Sequence, residues 1–81
     1  RQLTAGAFNW IAWDVPPRQF RCSAKARYRH PEQPCQVTLR EDGTAEFLFD
    51  QPQRAITPGQ AVVLYQGDVV LGGGTITRVE K

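Results

Sequence analysis

Residues 35–49 constrain this chain more tightly than any other stretch. Cys35, Val37 and Leu39 alternate with Gln36, Thr38 and Arg40, and a second apolar series, Ala45, Phe47 and Phe49, follows Glu41-Asp42-Gly43. Period-two alternation is the pattern of a half-buried strand, because successive side chains point to opposite faces. The hairpin has two possible registers. A two-residue Asp42-Gly43 loop sets Leu39 opposite Glu46 and drives a carboxylate into the core. A three-residue loop, with Gly43 left-handed in a bulge, pairs Leu39 with Ala45, Val37 with Phe47 and Cys35 with Phe49. Only the second keeps every apolar residue inside, so it is the expected register.

Turn chemistry divides the rest of the chain in the same way. Leu3, Ala5 and Ala7 are placed on one face of a first strand, which Gly6 weakens. Asn9-Trp10-Ile11-Ala12-Trp13 is a bulky apolar cluster, read as core or a domain contact in preference to an exposed base-stacking platform. Pro16-Pro17 excludes helix and leads in extended form into residues 21–29. After the hairpin, residues 50–56 form an irregular connection. Thr57-Pro58-Gly59-Gln60 has the composition of a type II turn. Residues 61–66 and 69–72 are joined by Gly67-Asp68, a loop suited to a type II′ hairpin. Val62 and Leu64 lie on one face of that hairpin and Val63 and Tyr65 on the other, so both faces require cover. Gly72-Gly73-Gly74 marks a bulge or tight crossover before a last strand, 75–79. There is no helical run. The 81 residues therefore predict one all-β domain, a small closed or nearly closed barrel of about six mainly antiparallel strands, since closure removes edges that so small a sheet would expose.

Charge singles out one of these strands. Along residues 21–29, Cys22, Ala24, Ala26 and Tyr28 occupy the inward face, with Phe20 extending it. Arg21, Ser23, Lys25, Arg27 and Arg29 occupy the outward face. Net charge is only +2, too little to identify a nucleic-acid binder. The distribution is more telling, because five of the ten Lys and Arg lie between Arg18 and His30, where there is no acid. Like charges along one face repel unless an anion covers them, and rows of Lys and Arg on a sheet contact phosphates. Arg21, Lys25, Arg27 and Arg29 are the candidate RNA-binding residues, with Arg54 extending the patch.

Other chemistry finds little support. His30 is the only histidine, and Cys22 and Cys35 are the only thiols, too few for a zinc site. A Cys–His nucleophile is conceivable across the 30–35 turn, but both cysteines are predicted to face the core. A tight hairpin around residues 30–34 puts Cys35 opposite the neighbourhood of Tyr28 and Cys22 roughly 20 Å along the strand. A disulfide needs Cα atoms within about 7 Å. Free thiols in a reducing, cytoplasmic setting are therefore expected. The glycine run lacks the Gly-Lys-Ser/Thr of a phosphate loop. No catalytic or metal-binding residue is assigned. No segment reaches the length of a membrane span, and no signal-peptide pattern is present. The chain lacks Met and begins with Arg, which is expected of a piece of a longer protein.

The runs Phe49-Asp50-Gln51-Pro52-Gln53-Arg54-Ala55-Ile56-Thr57-Pro58-Gly59-Gln60-Ala61-Val62-Val63-Leu64-Tyr65 and Leu71-Gly72-Gly73-Gly74 are distinctive in combination. With Asn9-Trp10, residues 21–29, Pro34-Cys35 and Gly67-Asp68, they make the chain resemble the C-terminal domain of bacterial tRNA-specific 2-thiouridylases over nearly its whole length. Ala26 stands where a larger aliphatic would be expected. The resemblance implies a barrel similar to those of translation factors and aminomethyltransferases. It also implies a parent with N-terminal catalytic and central domains that 2-thiolates the wobble uridine of tRNA. In that parent ATP adenylates the base, a catalytic-cysteine persulfide supplies the sulfur, and a sulfur-carrier protein is a further potential partner. The family's catalytic cysteines lie outside this barrel, so the resemblance assigns Cys22 and Cys35 no catalytic part. The barrel itself is implied to hold tRNA. The alternative role is a structural or docking module, with Trp10, Trp13, Val63 and Tyr65 packing on a neighbouring domain or sulfur-relay partner.

Overall fold

A computed structural model describes residues 2–26, 31–51, 53 and 56–80. They form six strands: β1 (Gln2–Trp10), β2 (Gln19–Lys25), β3 (Gln33–Leu39), β4 (Ala45–Phe49), β5 (Ala61–Gln66) and β6 (Val69–Glu80). All pairings are antiparallel, and the sheet closes into a barrel in the order β1-β4-β3-β2-β5-β6, with β6 returning to β1.

The β3–β4 hairpin takes the register that alternation demands, with Cys35 opposite Phe49, Val37 opposite Phe47 and Leu39 opposite Ala45. Gly43 is left-handed at φ 88°. The turn is fastened by Asp42, whose Oδ1 accepts from the Thr44 amide at 3.0 Å and the Thr44 hydroxyl at 2.6 Å. These bonds, the hydroxyl's first, hold the Asp42 carboxyl below its ordinary range. The β5–β6 hairpin pairs Gln66 with Val69 around Gly67 at φ 59°. Asp68 does not share the positive φ, as a type II′ turn requires. Gly59, at φ 93°, occupies the third position of the Thr57–Gln60 turn, where the Gln60 amide donates to the Thr57 carbonyl at 3.4 Å.

One face of each strand fills the barrel. Leu3, Ala5, Cys22, Ala24, Cys35, Val37, Ala45, Phe47, Phe49, Val62, Leu64, Leu71 and Ile76 are buried, and no polar or charged side chain among the described residues joins them. Partial burial of Val63 and Tyr65 on the other face of β5 matches the two-faced reading of that strand.

Three expectations are corrected. Ala7 is exposed because β1 carries a bulge: Gly6 pairs with Thr75 and Asn9 with Gly73, so Ala7 and Phe8 together oppose Gly74. Ala7 is left-handed at φ 52°, and the inward set passes from Leu3 and Ala5 to Phe8 and Trp10. The glycine run makes no crossover and lies within strand β6. The bulge, the other expectation there, is present beside it: Leu64 pairs with Gly72 and Tyr65 with Val70, and Leu71 is left over. A Cβ on Gly74 would sit 2.7 Å from the Gly6 carbonyl oxygen and 2.9 Å from the Phe8 ring. The glycines thus admit a neighbouring strand and an aromatic ring at backbone distance.

The third correction concerns β2 and β3. The strands pair Ala24 with Gln33, Cys22 with Cys35 and Phe20 with Val37, so Gln33 and Pro34 belong to β3 and not to a tight turn. The cysteines are therefore directly opposite, with no 20 Å between them. They are nonetheless free thiols, as expected, with Sγ atoms 3.8 Å apart. A slip of six residues preserves every inward and outward assignment, so hydrophobic alternation alone does not choose between the two registers.

Candidate nucleic-acid interface

The outward side of β2 and its neighbours forms the candidate surface. Phe20, Cys22 and Ala24 pack inward, which turns Arg21, Ser23 and Lys25 outward. Across β3 the facing residues are Gln36 beside Arg21 and Pro34 beside Ser23. Across β5 they are Tyr65 beside Ser23 and Val63 beside Lys25. Arg21 is exposed and Lys25 half-buried. Arg27, Arg29 and Arg54 lie outside the described residues, as do His30 and the expected inward packing of Tyr28.

Arg21 is not a bare cation. Its guanidinium grips Asp50 with a two-pronged pair, 3.0 Å from Nη1 to Oδ1 and 2.6 Å from Nη2 to Oδ2. The pair reaches across β3, where the Asp50 amide also donates to the Pro34 carbonyl at 3.2 Å. The hydrogen bond to Asp50 raises the Arg21 pKa above its ordinary value, so its charge is fixed. Both partners are well exposed, at 56% and 40% of the side chain, so the bond is screened and adds little stability. Its importance is to the surface potential, because a carboxylate distant in sequence now sits on a strand face that is acid-free in sequence. On the next side of the barrel, Arg40 pairs with Glu46 at 2.5 Å.

Tyr65 and Asp50 are the two members of this surface that the charge pattern does not reveal. Both arrive through pairing between strands far apart in sequence, and no local signal encodes it. The Trp cluster, in contrast, follows its expected core role. Trp10 stacks on Phe8 at a 4.8 Å centroid distance, and Trp13 lies 5.0 Å from Phe20. These half-buried rings pack on each other and on the core.

The described residues hold no group of three or more potential metal ligands, and no helix long and apolar enough to cross a membrane. An open apolar groove of about 370 Å³ runs beside the glycine segment between β1, β5 and β6, lined by Ile11, Val63 and Val70. Ile11 is 66% exposed there, and the adjoining Val69 is 56% exposed.

Comparison with known proteins accounts for this architecture. The sequence model of the aminomethyltransferase β-barrel domain matches residues 1–76. The tRNA-specific 2-thiouridylase MnmA of Francisella philomiragia subsp. philomiragia is 55% identical over 74 residues, 91% of this chain and 21% of the relative. MnmA of Marinobacter nauticus is 54% identical over 78 residues, 96% of this chain and 20% of the relative. MnmA of Francisella tularensis subsp. novicida is 53% identical over 76 residues. The chain spans about one fifth of the length of these curated relatives.

Proposed function

The chain belongs to the aminomethyltransferase β-barrel domain family, and from that premise we propose that it is the tRNA-holding barrel of a tRNA-specific 2-thiouridylase. The observation that carries the reading is the outward row of β2, with Arg21 and Lys25 on a face that also presents Gln36 and Tyr65. Cations there attract phosphate without reading sequence, and a half-buried tyrosine offers a ring to an unpaired base. By sequence, Arg27 and Arg29 continue the alternation of that row, and Arg54, in the segment 50–56, is a further candidate for the patch. Thiolation of the wobble uridine, with ATP and a persulfide donor, is assigned to the remaining parts of a longer cytoplasmic enzyme. The relatives' printed names, at more than half identity over this domain, support the tRNA 2-thiolation in that assignment.

Salt dependence tests it. In the full-length enzyme, Lys25→Ala combined with Arg27→Ala is expected to weaken tRNA binding and to flatten log K against log salt by about 1 per cation removed. Asp50→Asn, which releases the Arg21 guanidinium, is expected to shift affinity the other way. Binding and slope unchanged in both variants would end the assignment of this face to tRNA.

The groove, which borders the β2 face at Val63 beside Lys25, favours a second role. About four fifths of each relative lies outside the matched region, and one of those domains is the occupant we assign to the Ile11, Val63 and Val70 surface. Val70→Asp should then change the stability of this chain alone by less than about 0.5 kcal/mol, as surface changes do. In the longer enzyme the same change should expose the interdomain junction to proteolysis. Equal proteolysis of variant and wild type would remove the groove from domain contact.

A further inference from the structure

Cys22 and Cys35 are the buried reactive groups to which neither role gives work. They face each other directly on β2 and β3, with Sγ atoms 3.8 Å apart. Directly opposed residues of antiparallel strands hold their Cβ atoms roughly 4.5–5.5 Å apart, bordering the range a disulfide spans. Closure to a bond of about 2.05 Å asks the sulfurs to approach by roughly 1.7 Å, within reach of small side-chain rotations. No strand has to slide. We propose that Cys22 and Cys35 form an oxidation site, a cross-strand dithiol that a hydroperoxide converts to an intramolecular disulfide within the barrel wall.

The two thiols are not equivalent. Cys22 keeps 8% of its surface exposed, whereas Cys35 keeps none. Cys22 also lies just past one end of the β2–β5 ladder, which among the described residues pairs Ser23, Ala24 and Lys25. Beyond that ladder the seam is held by a side chain, the Gln66 amide donating to the Arg21 carbonyl at 3.1 Å. A small oxidant therefore meets Cys22 first. The hydrogen bond from Cys35 lowers the Cys22 pKa, with the Arg21 charge assisting against burial, while the same bond and burial raise that of Cys35.

The chemistry balances with the hydroperoxide as sole oxidant. The Cys22 thiolate attacks the terminal peroxide oxygen, the O–O bond breaks, and an alcohol, or water from hydrogen peroxide, leaves with a sulfenic acid on Cys22. The Cys35 sulfur then attacks the sulfenic sulfur, the S–S bond forms, and hydroxide leaves with the Cys35 proton as water. Two thiols lose two electrons and the peroxide gains them. Access through a narrow seam makes the first step slow compared with an exposed low-pKa thiol.

The test is direct. The reduced wild-type chain is treated with hydrogen peroxide under native conditions, quenched, denatured, titrated for thiols and weighed intact. Both thiols should disappear together, the mass should fall by two hydrogens, and a dithiol reductant should restore both. The oxidised chain should melt higher by on the order of 10–20 °C, because the bond closes a 13-residue separation. Cys35→Ala should trap the first step as a sulfenic acid that dimedone labels at Cys22. Two intact thiols after treatment, oxygen added in place of hydrogen lost, or a disulfide between chains would each overturn the proposal. These readings need only the wild-type protein, so they stand even if the alanine variant fails to fold.

Discussion

Phe47→Ala is expected to remove about 3–5 kcal/mol of stability, the range for deleting a buried phenylalanine side chain. Phe47 has no exposed surface, pairs across strands with Leu3 and Val37, and lies 6.1 Å from the Phe8 ring. It thus connects three strands to the aromatic cluster of Phe8 and Trp10. A domain of this length has roughly 4–12 kcal/mol in total. The loss therefore moves the urea midpoint to a small fraction of its wild-type value or leaves the chain unfolded. An unfolding free energy within about 1 kcal/mol of wild type at equal slope would show that Phe47 is not the centre of the core.

Glycine substitution gives the second large effect, and its order matters more than its size. Gly74→Ala and Gly72→Ala are each expected to cost about 1–3 kcal/mol or more through overpacking. A Cβ at Gly74 would lie 2.7 Å from the Gly6 carbonyl oxygen, and one at Gly72 would lie 2.6 Å from that of Asn9. Both obstacles are backbone and cannot swing aside. Gly73→Ala meets the Val62 carbonyl at 3.1 Å and should be the mildest of the three. Thermal or urea melts of the three variants settle the order. A Gly74→Ala barrel as stable as wild type would mean that β1 and β6 are less closely packed than described.

How much of this was legible in the sequence depended on whether the contact was local. The β3–β4 register could be chosen because one alternative buried Glu46, a penalty visible in a few consecutive residues. No such penalty distinguishes the two β2–β3 registers, since both send Cys22 and Cys35 inward. The choice falls to the length of the connection, and residues 26–32 carry no turn signal as sharp as Asp42-Gly43. The Ala7 bulge was hidden for another reason. A left-handed alanine breaks the local preference, and closure of the barrel compels it through pairing with β6, more than sixty residues further along. At the candidate interface, Lys25 and Arg21 were legible as charge, whereas Asp50 and Tyr65 entered only when the sheet closed. The resemblance to tRNA-specific 2-thiouridylases was legible through the Thr57-Pro58-Gly59-Gln60 and Gly72-Gly73-Gly74 neighbourhoods, which general periodicity could not have interpreted.

The closing pair of the barrel has a consequence for how the chain acquires its structure. Gln2 is bonded to Glu80 on one side and Leu48 on the other, so the first strand has no complete berth until the last one exists. The β3–β4 and β5–β6 hairpins depend on short separations and can form as soon as their own residues are available. The ring cannot. During synthesis, closure must wait until residue 80 has emerged from the ribosome, and until then β1 has only β4 to pair with and its other edge, on the strand that carries Phe8 and Trp10, stays open. Topologies governed by such distant pairings fold in milliseconds to seconds rather than microseconds. That interval, before the barrel shuts, is when this sequence is most exposed to mispairing with another copy of itself.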